Sequence, residues 1–167
     1  MREQTYFKTM DAKGGYLFTK AFEKKPDVRK ISLTPKASTI DAYMMSGDTK
    51  LAVEIKIRPD QKIDEYKTLQ IEYEKYFNLQ CEVREGKADA MLYVTFFPDG
   101  YNYMVIPSHK QHQPDFKSWY VKQYNIDDSP YVYKMMALLN KNNQELHNVS
   151  TTFTPTQQYL NYITTWK

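Results

Sequence analysis

The chain has 167 residues, of which 41% are hydrophobic and 26% charged, and its formal net charge is +3. This size and composition predict one globular domain with a proper core, and the lack of any apolar run of about 18 residues excludes a membrane-spanning helix. A single cysteine excludes a disulfide framework and a multi-cysteine metal site, and the polar amino terminus leads us to expect a cytoplasmic protein.

The first third of the chain predicts a helix followed by three strands. Apolar residues recur at helical spacing after a break at Gly14-Gly15, and the segments that follow have the polar and apolar alternation of strands. In chain order these elements are a helix over residues 16–25 and strands over 28–34, 38–45 and 50–58. Gly47-Asp48 joins the last two strands, which predicts a hairpin.

The remainder predicts a long helix, two strands and a helical tail. In chain order we expect a helix over residues 63–80, strands over 89–97 and 101–106, and helices over 115–124, 131–140 and 155–164. Because a helix crosses between strands, the fold class is α/β, with a mixed sheet flanked by helices. We expect a single domain over 1–167, with a core at about 16–106 and a mainly helical C-terminal extension at about 107–167.

The hairpin carries three charged side chains that a phosphodiester-cleaving site requires. Asp41 lies on its first strand, while Glu54 and Lys56 lie two residues apart on the second and therefore share one face. Folding at the turn brings Asp41 level with Glu54. Two carboxylates suit Mg²⁺, and an adjacent lysine orients water or offsets transition-state charge. The competing interpretation is a solvated strand face, on which Glu-x-Lys is common.

This hairpin resembles the core motif of the PD-(D/E)XK nuclease superfamily through Ile40-Asp41, Gly47-Asp48 and Val53-Glu54-Ile55-Lys56. The resemblance covers about residues 16–106 and implies the restriction-endonuclease-like fold, built on an αβββαβ core. It implies a nuclease that hydrolyses DNA with Mg²⁺ or Mn²⁺. Asp41, Glu54 and the carbonyl of Ile55 would be the metal ligands and Lys56 the catalytic lysine. It also allows a homodimer. The Pro-Asp of the family's name is absent here, since Ile40 precedes Asp41.

The resemblance points to further candidates outside the hairpin. Members often add an acid from the first helix, for which Glu23 is the nearest candidate and Glu3 a poorer one. Some place a glutamine and a tyrosine on the helix after the motif strand, and Gln70 and Tyr73 occupy that segment. Their spacing of three residues, rather than four, leaves the subgroup open. A solvated surface residue is the alternative interpretation of Glu23.

A basic group is the predicted contact to a nucleic-acid backbone, because lysine and arginine bind phosphates regardless of base sequence. We expect a rim near Asp41 formed by Lys24, Lys25, Arg29, Lys30 and Lys36. Ordinary solubilising charges would explain the same residues. The alternative function is a catalytically inactive nucleic-acid-binding or protein-interaction module of the same fold. A domain with no nucleic-acid role would instead leave the three hairpin side chains splayed apart on the surface.

Overall fold

The computed structural model describes residues 13–58, 61–63, 65, 68–107, 114–123, 129–140 and 146–147. Within these ranges the chain forms two helices and two β-sheets. In chain order the elements are α1 (residues 13–22), β1 (Val28–Leu33), β2 (Ala42–Ser46), β3 (Thr49–Ile57), β4 (Thr68–Glu72), α2 (Tyr73–Arg84), β5 (Ala90–Phe97), β6 (Gly100–Pro107), β7 (Asp115–Lys122), β8 (Tyr131–Asn140) and β9 (Leu146–His147).

The larger sheet is mixed, with the strand order β1-β2-β3-β5-β6-β9. Strand β3 runs parallel to β5, and the chain crosses between them through β4 and α2. The other neighbours are antiparallel. Gly47, with φ of 56°, supplies the left-handed residue that the tight turn between β2 and β3 requires. The predicted mixed sheet with an αβββαβ order is confirmed.

The sheet buries apolar side chains on both faces. All eight residues of β5 are buried, as expected for a central strand covered on two sides. On one face, α1 packs against the sheet through a cluster that includes Leu17, Phe18, Phe22, Val53, Leu92 and Val94. On the other, α2 and the smaller sheet pack through a cluster that includes Ile71, Tyr76, Leu79, Tyr93, Met104 and Leu139.

The smaller sheet, with the order β4-β8-β7, differs from the sequence prediction. Residues 68–72 form β4 instead of the first half of a helix, and the helix begins only at Tyr73. The helices predicted over 115–124 and 131–140 are strands β7 and β8. Leu69 and Ile71 bury alternate side chains against the core, and pairing of β4 with β8 satisfies the backbone groups on the facing edges of the two strands.

The predicted helix break at Gly14-Gly15 is also wrong, because both glycines lie within α1. A Cβ atom at Gly14 would lie 3.3 Å from Ile55 Cγ2, and one at Gly15 would lie 2.9 Å from Leu33 Cδ1. The glycines therefore let the helix approach the sheet closely. The helix predicted over 155–164 lies outside the described residues. Neither described helix has the length and apolar character to cross a lipid bilayer.

Candidate active site

The carboxylates of Asp41 and Glu54 meet at one end of the β2–β3 hairpin. Ala42 pairs with Val53, so Asp41, one residue before β2, lies level with Glu54. The Asp41 N–H donates to the Val53 carbonyl at 3.0 Å, and the Ile55 N–H donates to Asp41 Oδ2 at 2.7 Å. The backbone on either side of Glu54 therefore fixes the half-buried Asp41 side chain.

Glu54 is a buried acid whose charge is only partly compensated. It is 5% exposed, and burial, followed by the negative charge of Asp41, raises its pKa to about 8. Its Oε1 lies 3.4 Å from Lys75 Nζ, at the start of α2. Its Oε2 is buried and has no hydrogen-bond partner among the described residues. A buried carboxylate oxygen without a partner is costly, and a bound cation would remove that cost.

Lys56 lies two residues beyond Glu54 on the same strand and pairs with an acid from β4. Its Nζ is 3.6 Å from Glu72 Oε1, and its side chain is 38% exposed. Burial lowers the pKa of Lys56, and the charge of Glu72 opposes that change. The ammonium therefore loses its proton more readily than that of an ordinary surface lysine.

Glu72 connects this site to the smaller sheet. Its Oε1 also lies 3.3 Å from Lys134 Nζ on β8, and that ammonium donates to the Gln123 carbonyl at 2.8 Å. Burial raises the pKa of Glu72, but the charges of Lys56 and Lys134 outweigh this effect and leave the pKa below its usual value. Glu72 is thus an ionised acid between two lysines.

Sequence reasoning missed Glu72, Lys75 and Lys134. The first two follow the motif strand within a polar and aromatic segment, so their proximity in the chain was the available signal. Lys134 carried no such signal, because it reaches Glu72 only through the pairing of β4 with β8, 62 residues apart in sequence.

The additional candidates have other described partners: Glu23 pairs with a lysine, and Gln70 is contacted at its backbone. Glu23 follows α1, which packs on the opposite face of the sheet, and its Oε1 pairs with Lys20 Nζ at 3.0 Å. Gln70 lies on β4, where its backbone carbonyl accepts from Arg58 Nη2 at 3.3 Å and from the Tyr93 hydroxyl at 3.0 Å. Tyr73 is 41% exposed and stacks on Phe77. Glu3 lies outside the described residues.

The basic group is spread over three places: the turn after α1, strand β1 and the loop between β1 and β2. Arg29 Nη1 lies 3.0 Å from Asp48 Oδ1 at the turn. Lys30 of β1 lies opposite Met45 of β2 in the sheet. Met45 is four residues from Asp41, about 13 Å along an extended strand. Arg29 and Lys30 therefore lie along β1 at some distance from Asp41, and their contact with a nucleic-acid backbone stays a prediction.

The other three members of the group also differ in their surroundings. Lys25 Nζ lies 4.5 Å from the centroid of the Tyr103 ring, and Lys24 is exposed just beyond α1. Lys36 lies in the loop that a hydrogen bond closes from the Thr34 N–H to the Asp41 carbonyl, at 3.0 Å. It is therefore the member of the group whose loop ends at Asp41.

The donor set suits a hard divalent cation with few protein ligands. No cluster of three His, Cys, Asp or Glu side chains occurs within the described ranges. Mg²⁺ commonly keeps several waters and takes one or two carboxylates. Asp41, Glu54 with its unpartnered oxygen, and a main-chain carbonyl at Ile55 would fit that requirement.

No protein-family model matches the chain, and no curated protein matches its sequence. Among solved structures, the chain is similar to the Holliday junction resolvase Hjc from the archaeal hyperthermophile Archaeoglobus fulgidus. The TM-score is 0.45 and the identity 15%, over 59% of this chain and 73% of the resolvase chain. A likeness of this size assigns no role to any residue.

Proposed function

We propose that the chain is a Mg²⁺-dependent nuclease that hydrolyses DNA phosphodiester bonds at Asp41, Glu54 and Lys56. The observation that carries the proposal is the buried Glu54 Oε2, which has no hydrogen-bond partner in the described part of the chain. It belongs to a carboxylate that lies beside the fixed Asp41 carboxylate. A buried and a half-buried carboxylate side by side repel one another when both are ionised, and a divalent cation relieves that repulsion.

The side chains divide the chemistry between them. Asp41, Glu54 and the Ile55 carbonyl would hold the cation, and Mg²⁺ supplies a lower pKa for bound water and neutralises charge on the phosphoryl oxygens. Lys56 would exchange a proton with the attacking water or donate to a phosphoryl oxygen, and burial lowers its pKa toward the range that proton transfer requires. Their place on neighbouring strands keeps these groups rigid.

The choice of DNA rests on the resemblance of the hairpin to the PD-(D/E)XK motif. The same arrangement of carboxylates and lysine would act on any phosphodiester, so RNA belongs in the test. The alternative function, a catalytically inactive nucleic-acid-binding module, differs from the nuclease in one measurable respect. It would bind nucleic acid in a salt-dependent manner without cleaving it.

The experiment is a cleavage assay on linear, nicked, branched and single-stranded DNA and on single-stranded RNA, with Mg²⁺, Mn²⁺ or EDTA. We expect cleavage of DNA that requires the cation, and a loss of about 100-fold or more in rate for Asp41→Asn and for Lys56→Met. Lys87→Met is the matched control, because Lys87 lies beyond the far end of α2, where it pairs with Glu82 and Glu85.

Full activity in both Asp41→Asn and Lys56→Met would disprove the proposed site. Salt-sensitive binding with no cleavage of any substrate would establish the inactive module instead. Circular dichroism of each variant shows that a loss of rate comes from the site and not from unfolding.

A further inference from the structure

Lys75 places an ammonium group against the two carboxylates. It is the third residue of α2, and its Nζ lies 3.4 Å from Glu54 Oε1. Burial lowers the pKa of Lys75, but the charges of Glu54 and Asp41 outweigh burial and raise it. The side chain therefore stays charged beside both acids.

This ammonium compensates the acids only in part. It carries one positive charge, and it leaves Glu54 Oε2 buried without a hydrogen-bond partner in the described residues. Its side chain is 40% exposed and ends a flexible four-carbon stem, so the group can leave Glu54 for solvent at low cost. A divalent cation between Asp41 and Glu54 would lie within a few ångströms of Nζ, where like charges in a partly buried site repel strongly.

We infer that Lys75 is a tethered counter-ion of the cation-free site, and that a divalent cation displaces its ammonium from Glu54. The inference rests on the proposed function, because the same two carboxylates hold the cation. Lys75 keeps the paired acids folded together before the cation arrives. A cation must bind the two carboxylates more strongly than the Lys75 ammonium does. A doubly charged ion meets this condition more readily than a singly charged one.

Two other lysines of the site provide contrast. Lys134 pairs with Glu72, and Lys56 pairs with the same oxygen, so neither ammonium is the direct partner of Glu54. Lys134→Met is therefore a matched control that removes one positive charge from the site's surroundings. Lys75→Arg is the conservative variant, because it keeps the charge at the same position.

The test is calorimetric titration of Mg²⁺ into the full chain at pH 9, without nucleic acid. We expect Lys75→Met to bind Mg²⁺ about tenfold more tightly than the wild type, because the competing charge is gone. Lys75→Arg and Lys134→Met should remain within about threefold of the wild type, since neither removes the charge from Glu54.

Thermal unfolding provides a second measurement on the same proteins. In EDTA we expect Lys75→Met to unfold at a lower temperature than the wild type, because its acids repel without a counter-ion. Saturating Mg²⁺ should then raise the unfolding temperature of Lys75→Met more than that of the wild type. Lys75→Gln is a second neutral variant in case the methionine variant does not fold.

The outcomes separate this inference from the proposed function. Equal or weaker Mg²⁺ binding by the neutral variants, with Mg²⁺-dependent cleavage by the wild type, would overturn the inference alone. No Mg²⁺ binding by any of these proteins would overturn both. Tighter binding by Lys75→Met and not by Lys75→Arg supports the displacement.

Discussion

Glu54 carries the strongest electrostatic conflict that the structure describes. It is buried beside Asp41, and the single ammonium of Lys75 offsets only part of the resulting repulsion. With a pKa of about 8, the carboxyl is largely protonated at neutral pH in the absence of a cation. Binding of a cation would then release a proton from this residue.

Glu54→Gln should stabilise the cation-free protein, and more so at alkaline pH. The pKa of Glu54 rises from an ordinary 4.5 to about 8 on folding, so the folded state binds more protons between these values. The free energy of unfolding of the wild type therefore falls as the pH rises through this window, whereas glutamine does not titrate. We expect the advantage of the variant to grow by roughly 4–5 kcal/mol between pH 4 and pH 9, given about 1.4 kcal/mol per pKa unit.

Urea denaturation in EDTA at several pH values measures this difference. Glu23→Gln is the control, because Glu23 pairs with the exposed Lys20 on the other face of the sheet. An identical pH dependence for wild type and Glu54→Gln would contradict the prediction.

Glu72→Gln should move the pH dependence of cleavage. The charge of Glu72 raises the pKa of Lys56 against the lowering effect of burial, so its removal lowers that pKa further. The limb of the pH–rate profile that reports Lys56 should shift to lower pH by about one unit or less, given the exposure of this pair. A profile that does not move would show that Glu72 has no influence on the pKa of Lys56.

At the scale of elements, local patterns predicted those parts whose period was unambiguous. Alternation and a glycine turn predicted the β2–β3 hairpin, and helical spacing predicted α1. The segment at 68–84 mixes two periods, because Leu69 and Ile71 alternate as in a strand while Tyr76 and Leu79 are spaced as in a helix. Strand β4 forms because β8 pairs with it. These two strands lie far apart in the sequence, so the pattern of neighbouring residues could not predict their pairing.

The same reason explains which site residues could be found from sequence. Asp41, Glu54 and Lys56 lie within one hairpin, where alternation predicts their common face. Lys75 follows on the next helix, so its side chain reaches Glu54 through packing between elements. Lys134 lies on β8, which the sequence analysis predicted as a helix. Its contact with Glu72 could therefore not be predicted.

The two glycines of α1 should respond differently to alanine. A Cβ at Gly15 meets Leu33 Cδ1, the end of a flexible, exposed side chain that can rotate away. A Cβ at Gly14 meets Cγ2 of Ile55, which is branched at Cβ and fixed on β3 next to Glu54. We expect Gly15→Ala to be neutral or stabilising by up to about 1 kcal/mol through helix propensity.

Gly14→Ala should be the less stable of the pair, by about 1 kcal/mol, because the helix must shift from β3 to admit the methyl group. Chemical denaturation of both variants compares them directly. Greater stability of Gly14→Ala than of Gly15→Ala would show that the close approach at Ile55 is not tight.

At the scale of the whole molecule, strand β8, which lies beyond residue 107, is part of the core on the α2 face. Ala137 and Leu139 of β8 are 0% exposed and belong to the same cluster as Ile71, Tyr93 and Met104. The smaller sheet therefore covers the face of the larger sheet that carries Glu54 and Lys56. The sequence analysis placed the core at about 16–106 and did not include β8 in it.

Leu139→Ala should destabilise the protein by about 3 kcal/mol, because it removes a fully buried side chain and leaves a cavity in the shared core. Met135→Ala, on the same strand but 52% exposed, should change stability by less than about 0.5 kcal/mol. Urea denaturation measures both. A small effect of Leu139→Ala would show that β8 is peripheral to the fold.

The pairing of Lys134 with Glu72 has a consequence for the order of events during synthesis. A nascent chain that has emerged only through β6 already holds Asp41, Glu54 and Lys56, but Glu72 still lacks its partner from β8. The set of charges around Lys56 and Glu72 is thus complete only once β8 has been synthesised. The proposed activity would then depend on a chain that includes β8. Fragments that end before β8 would lack Lys134 and would be less active.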